Sequence, residues 1–377
     1  MDLLKHVWDF ENEEEAQKEL TSQDELTHLA VCAKNIDIRM AAVERITDEN
    51  MLAKVAMNSF SSTVRKAAIA KVTHPDILIE LAFFPVFHDV CEAATDKLTD
   101  ENLLTEIALK NKCLDLRSKA VEKLTDQNKL VFTAKNADAV HVREEAASKL
   151  SDQNELTYIV KHDESYKVRL MAVSKLTIQN ALTDVAQNDQ LPIVRFKAAE
   201  KLTDQNLAQE VYADVAKNAE NSYLRMAAAD KMNDKTLAQE VYADIALHNE
   251  IEQIRLSAIE KLTEQNVLAY IAKNHTYSQT REKAVKKLTD QNILADIARN
   301  EKVWFIRVEA VKTLTDQNIL TDLAINDKYV YLDAAHRLTD PIALAKVAKN
   351  AKEYSASKHA TEKLAGMAKK EKNNVNI

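Results

Sequence analysis

One glycine, Gly366, stands in a chain of 377 residues, where average usage near 7% would supply roughly 26. Glycine loops that cradle phosphates and tight Asn-Gly hairpin turns need positive φ or close backbone approach, so neither device is available. Proline occurs four times and cysteine three times. Cys32, Cys91 and Cys113 are widely spaced with no Cys-x-x-Cys pair; they give no support to a disulfide framework or an iron-sulfur ligand set, and free, mostly buried thiols are expected. No stretch approaches the roughly 18 apolar residues that span a bilayer. The opening MDLLKHVWDFENEEEAQKEL also lacks the basic stretch, apolar core and cleavage site of a secretion signal. A cytoplasmic location with no membrane partner is therefore expected. Excess positive charge is missing too: 51 basic against 59 acidic residues leave a net charge of -8, which disfavours bulk attraction to nucleic acid.

What is present is a helix-forming composition, 46% hydrophobic and 29% charged, dominated by Ala, Leu, Lys, Glu and Gln. One phrase recurs almost verbatim: EKLTDQNKL at 122–130, SKLSDQNEL at 148–156, EKLTDQNLA at 200–208, KKLTDQNIL at 286–294 and KTLTDQNIL at 312–320. Its apolar anchor runs through Leu20, Ile46, Val72, Leu98, Leu124, Leu150, Leu176, Leu202, Met232, Leu262, Leu288, Leu314, Leu338 and Leu364, most often 26 residues apart. Self-similarity of this kind marks a repeat array in which each unit touches its neighbours. The expected organisation is a single array over 13–368, preceded by a segment 1–12 whose Trp8 and Phe10 cover the first repeat. A short polar tail, 369–377, is expected to fray.

Four residues before every anchor stands an alanine, from Ala16 to Ala360. In VREEAASKL at 142–150, Val142, Ala146 and Leu150 fall at i, i+4 and i+8, one stripe of a helix, and the alanine lets a neighbouring helix approach to about 8 Å. The TDQN turn that follows carries Thr and Asp, which accept the orphan N–H groups of the next helix and close the turn without glycine. The second, short helix, as in LLTEIALKN at 103–111, repeats the helical apolar spacing. Helices this short are marginal alone, so stacking must create the core and the class is all-α, a solenoid of about 13–14 two-helix repeats.

Three places break the rule. Two consecutive units, within 202–262, are 30 residues long and share the insertion text AQEVYAD. The extra helical turn should raise a local ridge with Tyr212, Tyr223 and Tyr242 as a possible partner-binding surface. At 83–91, FFPVFHDVC replaces the polar connector and puts Cys91 where other units have arginine. His88 and Cys91 share a helical face, but with no third or fourth ligand indicated no metal is expected. Finally, the step from Leu314 to Leu338 is 24 residues, a two-residue deletion before Tyr331.

Seven residues before the anchor ten units carry arginine: Arg39, Arg65, Arg117, Arg143, Arg169, Arg195, Arg225, Arg255, Arg281 and Arg307. Such persistence suits a planar fork tied to a carboxylate or carbonyl of the adjoining repeat, with the TDQ aspartates Asp126, Asp152, Asp204, Asp290 and Asp316 as candidate acceptors. The other reading is a groove of guanidinium groups for a polyanion or acidic peptide. Lysine just before the anchor, as at Lys71, Lys97, Lys123, Lys149, Lys175, Lys201, Lys231, Lys261 and Lys287, is explained by the helix dipole at a solvated C-terminus.

In VREEAASKL at 142–150 and IRLSAIEKL at 254–262, followed by the short helix, the chain resembles HEAT-like repeat proteins of bacteria. It is also similar to the leucine-rich-variant repeats, over about residues 13–364. The resemblance implies a right-handed α-solenoid. HEAT-like families include protein-binding scaffolds, phycobilin lyases and alkylpurine DNA glycosylases, and no lyase or glycosylase residue carries over to this chain. The iron-sulfur cysteines of some leucine-rich-variant proteins have no counterpart. Scattered histidines form no HExxH site and no GxSxG elbow exists, so no catalytic residue and no cofactor is expected. The function expected is non-enzymatic: a monomeric scaffold that binds a protein or peptide along its surface, with nucleic-acid binding or processing as the alternative.

Overall fold

The computed structural model describes residues 22–375, with side chains through residue 369. The expected cover by Trp8 and Phe10, and the first Ala16 and Leu20 pair, lie outside the described residues. Two compact units divide the chain, Met1–Thr203 and Asp204–Ile377, and the division falls inside one of the Thr-Asp turns. In each unit the described residues form helices alone, joined by short connectors. Each unit is a run of two-helix repeats at a period of about 26 residues, a right-handed HEAT-like α-solenoid.

A representative repeat in the first unit pairs the helix Gln127–Asn136 with the helix Val140–Lys149. Both are ten residues long. The element expected to be shorter thus equals its partner in length. The helix Val140–Lys149 carries the arginine and the alanine, and it packs against its equivalents Leu114–Lys123 and Tyr166–Lys175 more extensively than Gln127–Asn136 and its equivalents pack on one another. The alanine makes that approach possible. From Ala42, Ala68 and Ala94 to Ala334 and Ala360, every described alanine of the stripe is completely buried. The anchors from Ile46 to Leu338 are buried beside them, while the last one, Leu364, is only half-buried.

Aspartate caps close the turns. Asp48, Asp100, Asp126, Asp152, Asp290 and Asp316 each accept from the two backbone N–H groups that begin the next helix. No described residue has positive φ, so the chain turns throughout without the left-handed conformation. Gly366 does not end a helix either: Tyr354–Val375 runs through it as one helix that reaches into the expected tail.

In the second unit the two long repeats carry fourteen-residue helices, Gln205–Asn218 and Lys235–His248. The shortened repeat takes its deletion from the arginine-type helix, which is reduced to Tyr331–Arg337.

Candidate functional site

The helix ends that face the connectors are where polar side chains concentrate, and three ladders run along them. The first is arginine. All ten of these arginines donate to a carbonyl at the end of the preceding helix. Arg143 Nη1 reaches Ala137 O at 2.9 Å and Asp138 O at 3.1 Å. Arg169 bonds Asp163 O at 3.1 Å, Arg195 bonds Asp189 O at 2.9 Å and Arg281 bonds His275 O at 2.9 Å. Arg39, Arg65, Arg117 and Arg255 reach the equivalent carbonyls of Ala33, Ser59, Asn111 and Asn249. Arg225 and Arg307 reach back to Ala216 and Ala298.

The other edge of the fork reaches forward. Arg143 grips Asp163 at 2.8 and 3.1 Å, Arg169 grips Asp189 at the same distances, and Arg281 grips Glu301 at 2.9 and 3.0 Å. Arg65, Arg117, Arg225 and Arg307 pair with Asp89, Asp138, Asp244 and Asp327. Arg255 instead lies 4.2 Å from the Tyr277 ring centre and 3.3 Å from Thr280 Oγ1. Asp163 therefore receives Arg143 on its carboxylate and Arg169 on its carbonyl, so consecutive repeats interlock. Burial pushes the Glu301 carboxyl up, but the Arg281 guanidinium and the Val303 N–H outweigh it and hold the group below the usual range.

These acceptors are not the expected TDQ aspartates, which cap the helices that follow them. Most carboxylates that take the arginines stand at or just beyond the far end of those helices, and Asp89 in the first turn of the helix that follows, because the guanidinium lies at the connector and not at the TDQ turn. Every one of the ten is bonded to at least one carbonyl, which supports the reading as ties between repeats.

The lysines form a second ladder. Lys71 Nζ donates to Val43 O, Glu44 O and Ile46 O at 2.6–2.9 Å, and Lys149 to Val121 O and Glu122 O at 2.9 and 2.5 Å. Lys97, Lys123, Lys175, Lys201 and Lys287 bond equivalent carbonyls. The dipole explanation holds, but the helix end served is that of the preceding repeat, and the ammonium is partly desolvated there. That desolvation lowers the pKa of Lys97, Lys123, Lys201 and Lys287. Lys261, in the lengthened region, turns to Asp230 at 2.7 Å.

The third ladder explains the Gln of the repeated phrase. Gln153 Oε1 accepts from Thr177 N at 2.7 Å and from its hydroxyl at 2.9 Å, while Gln153 Nε2 donates to Lys175 O at 3.3 Å. Gln127, Gln179 and Gln265 do the same one repeat apart, and Gln291 Oε1 accepts from Thr315 in the same way while its Nε2 donates to Thr289 O. In the long repeats the role passes to Gln209 and Gln239, which accept from Asn233 N and Thr263 N. The inserted turn thus precedes the ladder residue and leaves the register intact.

Tyr212 and Tyr242 are only 6% and 5% exposed, so two of the three expected ridge residues are wedged inside. The Tyr242 hydroxyl donates to Asp230 at 2.6 Å, and burial together with that carboxylate raises its pKa. Tyr223, at 55%, is open to solvent.

Exposed apolar side chains gather elsewhere, at a place the sequence reading passed over. Leu114, Val140 and Tyr166 occupy the same first position of three consecutive arginine-type helices, and Phe132 and Tyr158 match one another on the helices that precede the last two of them; all five are exposed. Two clefts of about 550 and 540 Å³ lie at the connectors of this stretch and share His162, Asp163 and Glu164. Tyr158 lines the first of these, with its ring 4.5 Å from that of His162 and 4.1 Å from the Lys135 ammonium. A 26-residue comparison of exposed positions, in place of conserved letters, would have found this column.

Among the described residues no helix is long and apolar enough to cross a membrane. No family model matches the chain and no curated protein matches it. One similar solved structure comes from "Computational Design of Self-Assembling Cyclic Protein Homooligomers"; it is 15% identical, covering 93% of this chain and 99% of that one, with a TM-score of 0.08. At that score the likeness carries no argument. What defines the chain is its own periodicity and helix pairing: each unit is an all-α solenoid of tandem two-helix repeats.

Proposed function

We propose that this protein is a non-enzymatic scaffold that binds a segment of another protein along its solenoid surface. The observation that carries the reading is the column of exposed Leu114, Val140 and Tyr166 with Phe132 and Tyr158 beside it. Phe132 and Val140 bracket one connector and Tyr158 and Tyr166 bracket the next. Equivalent positions on packed helices recur at roughly 10 Å, a spacing that suits apolar side chains along an extended or helical segment of a partner. Aromatic anchors in such a row contribute most of the affinity, and the charged clefts beside them favour a partner with polar flanks of both signs.

The test is capture from native lysate on the intact protein and on a Val140→Glu/Tyr166→Glu variant, each with and without nuclease. Nuclease-insensitive retention of a defined protein by the native chain, lost in the variant, is the expected result. Retention that survives the double substitution, or that disappears with nuclease and with salt, would overturn the reading in favour of another surface or of nucleic acid.

A further inference from the structure

The irregular connector in the first unit holds a group of side chains that the ladders do not use. In eight of the ten repeats that keep the arginine, from Arg65 to Arg307, the fork joins the preceding helix end to a residue of the next repeat. At the one position where Cys91 replaces it, the corresponding places are taken by Pro85 and Asn111. Both line a half-enclosed cavity of about 400 Å³, together with Phe84, His88, Cys91 and Cys113. The cavity lies where a guanidinium would otherwise reach. Asn111, itself buried, takes over part of the lost capping by donating to Ala82 O at 2.8 Å.

His88 and Cys113, which line this cavity, and Asp115 bring an imidazole nitrogen, a sulfur and a carboxylate oxygen within 4.8 Å of one another. They meet because His88 begins one arginine-type helix while Cys113 and Asp115 begin the next, and these helix starts stack as neighbours. None of the three side chains has a hydrogen bond or ion pair to a described residue, whereas most polar side chains nearby do. His88 and Asp115 are exposed and free to adjust. The pairing of His88 with Cys91 suggested by their spacing does not form: the Cys91 thiol turns inward and donates to Phe84 O at 2.7 Å, and burial pushes it up to about 11.

We propose that His88, Cys113 and Asp115 form a binding site for a borderline divalent cation of the zinc class. Tetrahedral coordination at about 2.0–2.3 Å requires ligand atoms roughly 3.5 Å apart, so atoms within 4.8 Å of one another need contract by at most about 1.3 Å, within reach of side-chain rotation at two exposed positions. One nitrogen, one thiolate and one carboxylate select zinc-class ions over magnesium or calcium, which take oxygen ligands. The thiol proton leaves to solvent as the metal–sulfur bond forms, and a fourth position remains for water.

Cobalt(II), a spectroscopic stand-in for zinc, tests the site on the reduced full-length chain. The expected result is a near-ultraviolet thiolate-to-cobalt charge-transfer band that saturates at one metal per chain and is bleached by zinc. Cys113→Ser should abolish the band, His88→Ala and Asp115→Asn should each weaken binding by at least about tenfold, and Cys91→Ser and Cys32→Ser should retain it. Far-ultraviolet dichroism verifies that each variant is folded, which the exposure of His88 and Asp115 favours. Absence of the band in the folded native chain, its survival in Cys113→Ser, or unchanged affinity in His88→Ala would overturn the assignment.

Discussion

Replacing Arg169 removes both edges of a fork whose carboxylate partner, Asp189, is 6% exposed. Breaking one side of such a pair leaves a buried charge without its partner, so Arg169→Ala is expected to cost about 3 kcal/mol, read from denaturant unfolding. Arg169→Lys keeps the charge but not the planar geometry that serves a carbonyl and a carboxylate together, and roughly half of that loss should persist. A full rescue by lysine would mean that charge alone holds the ladder.

His275 makes a different residue-scale prediction. Burial, and then the Arg255 guanidinium, lowers its pKa, so the folded protein favours the neutral ring. An unfolded histidine titrates near 6.5. Above that value the contribution is complete; as pH falls through about 6.5 towards the lower folded value, the unfolded chain binds more protons and stability is lost. The thermal midpoint should therefore fall as the solution is acidified from about pH 7.5 to about pH 5.5. His275→Asn should flatten that dependence while still accepting the Tyr277 N–H that His275 Nδ1 now accepts at 3.2 Å. Asn249 already does this for Ile251 N. An unchanged pH profile in the variant would remove His275 as the source.

At the scale of the element, the long helix Lys235–His248 is an ordinary short helix with one turn added ahead of its ladder glutamine. Deleting Lys235–Ala238 would place Gln239 directly after Asp234, the arrangement of the regular repeats. Four residues advance a helix by about 400°, close to a whole turn, and the cost is expected to stay under about 2 kcal/mol. Removing only Lys235–Thr236 swings Gln239 by about 200° away from Thr263, and a loss of at least about 4 kcal/mol is expected. Thermal unfolding followed by circular dichroism distinguishes the two, and equal losses would show that Gln239 does not set the register.

For the whole molecule, charge and bonding point the same way. The net charge is -8, and the ten ladder arginines and most of the repeating lysines are bonded to carbonyls or carboxylates. Duplex DNA is therefore expected not to shift in gels at physiological ionic strength, and a retarded band that weakens steeply with salt would contradict this. Much of this molecule was legible in advance because its pattern is periodic. The 26-residue spacing located every described alanine contact, and Asp in TDQ announced the caps. The arginines were legible as ties, but their acceptors were misplaced, since spacing alone does not tell which end of a neighbouring helix a guanidinium reaches. Tyr212 and Tyr242 looked like a ridge because an inserted turn lengthens the helix; their burial depends on which side of that turn faces the next helix.

By itself the sequence determined the helical class, the repeat length and the glycine-free turns, because these follow from local propensity, capping and a period short enough to count. Only the tertiary structure decided which carbonyl each lysine serves, that Gln sets the register from one repeat to the next, and that His88 meets Cys113 and Asp115. Those pairings join residues about one repeat apart in the chain. They are set by how neighbouring helices stack, a geometry that many different letters at the same spacing would equally allow.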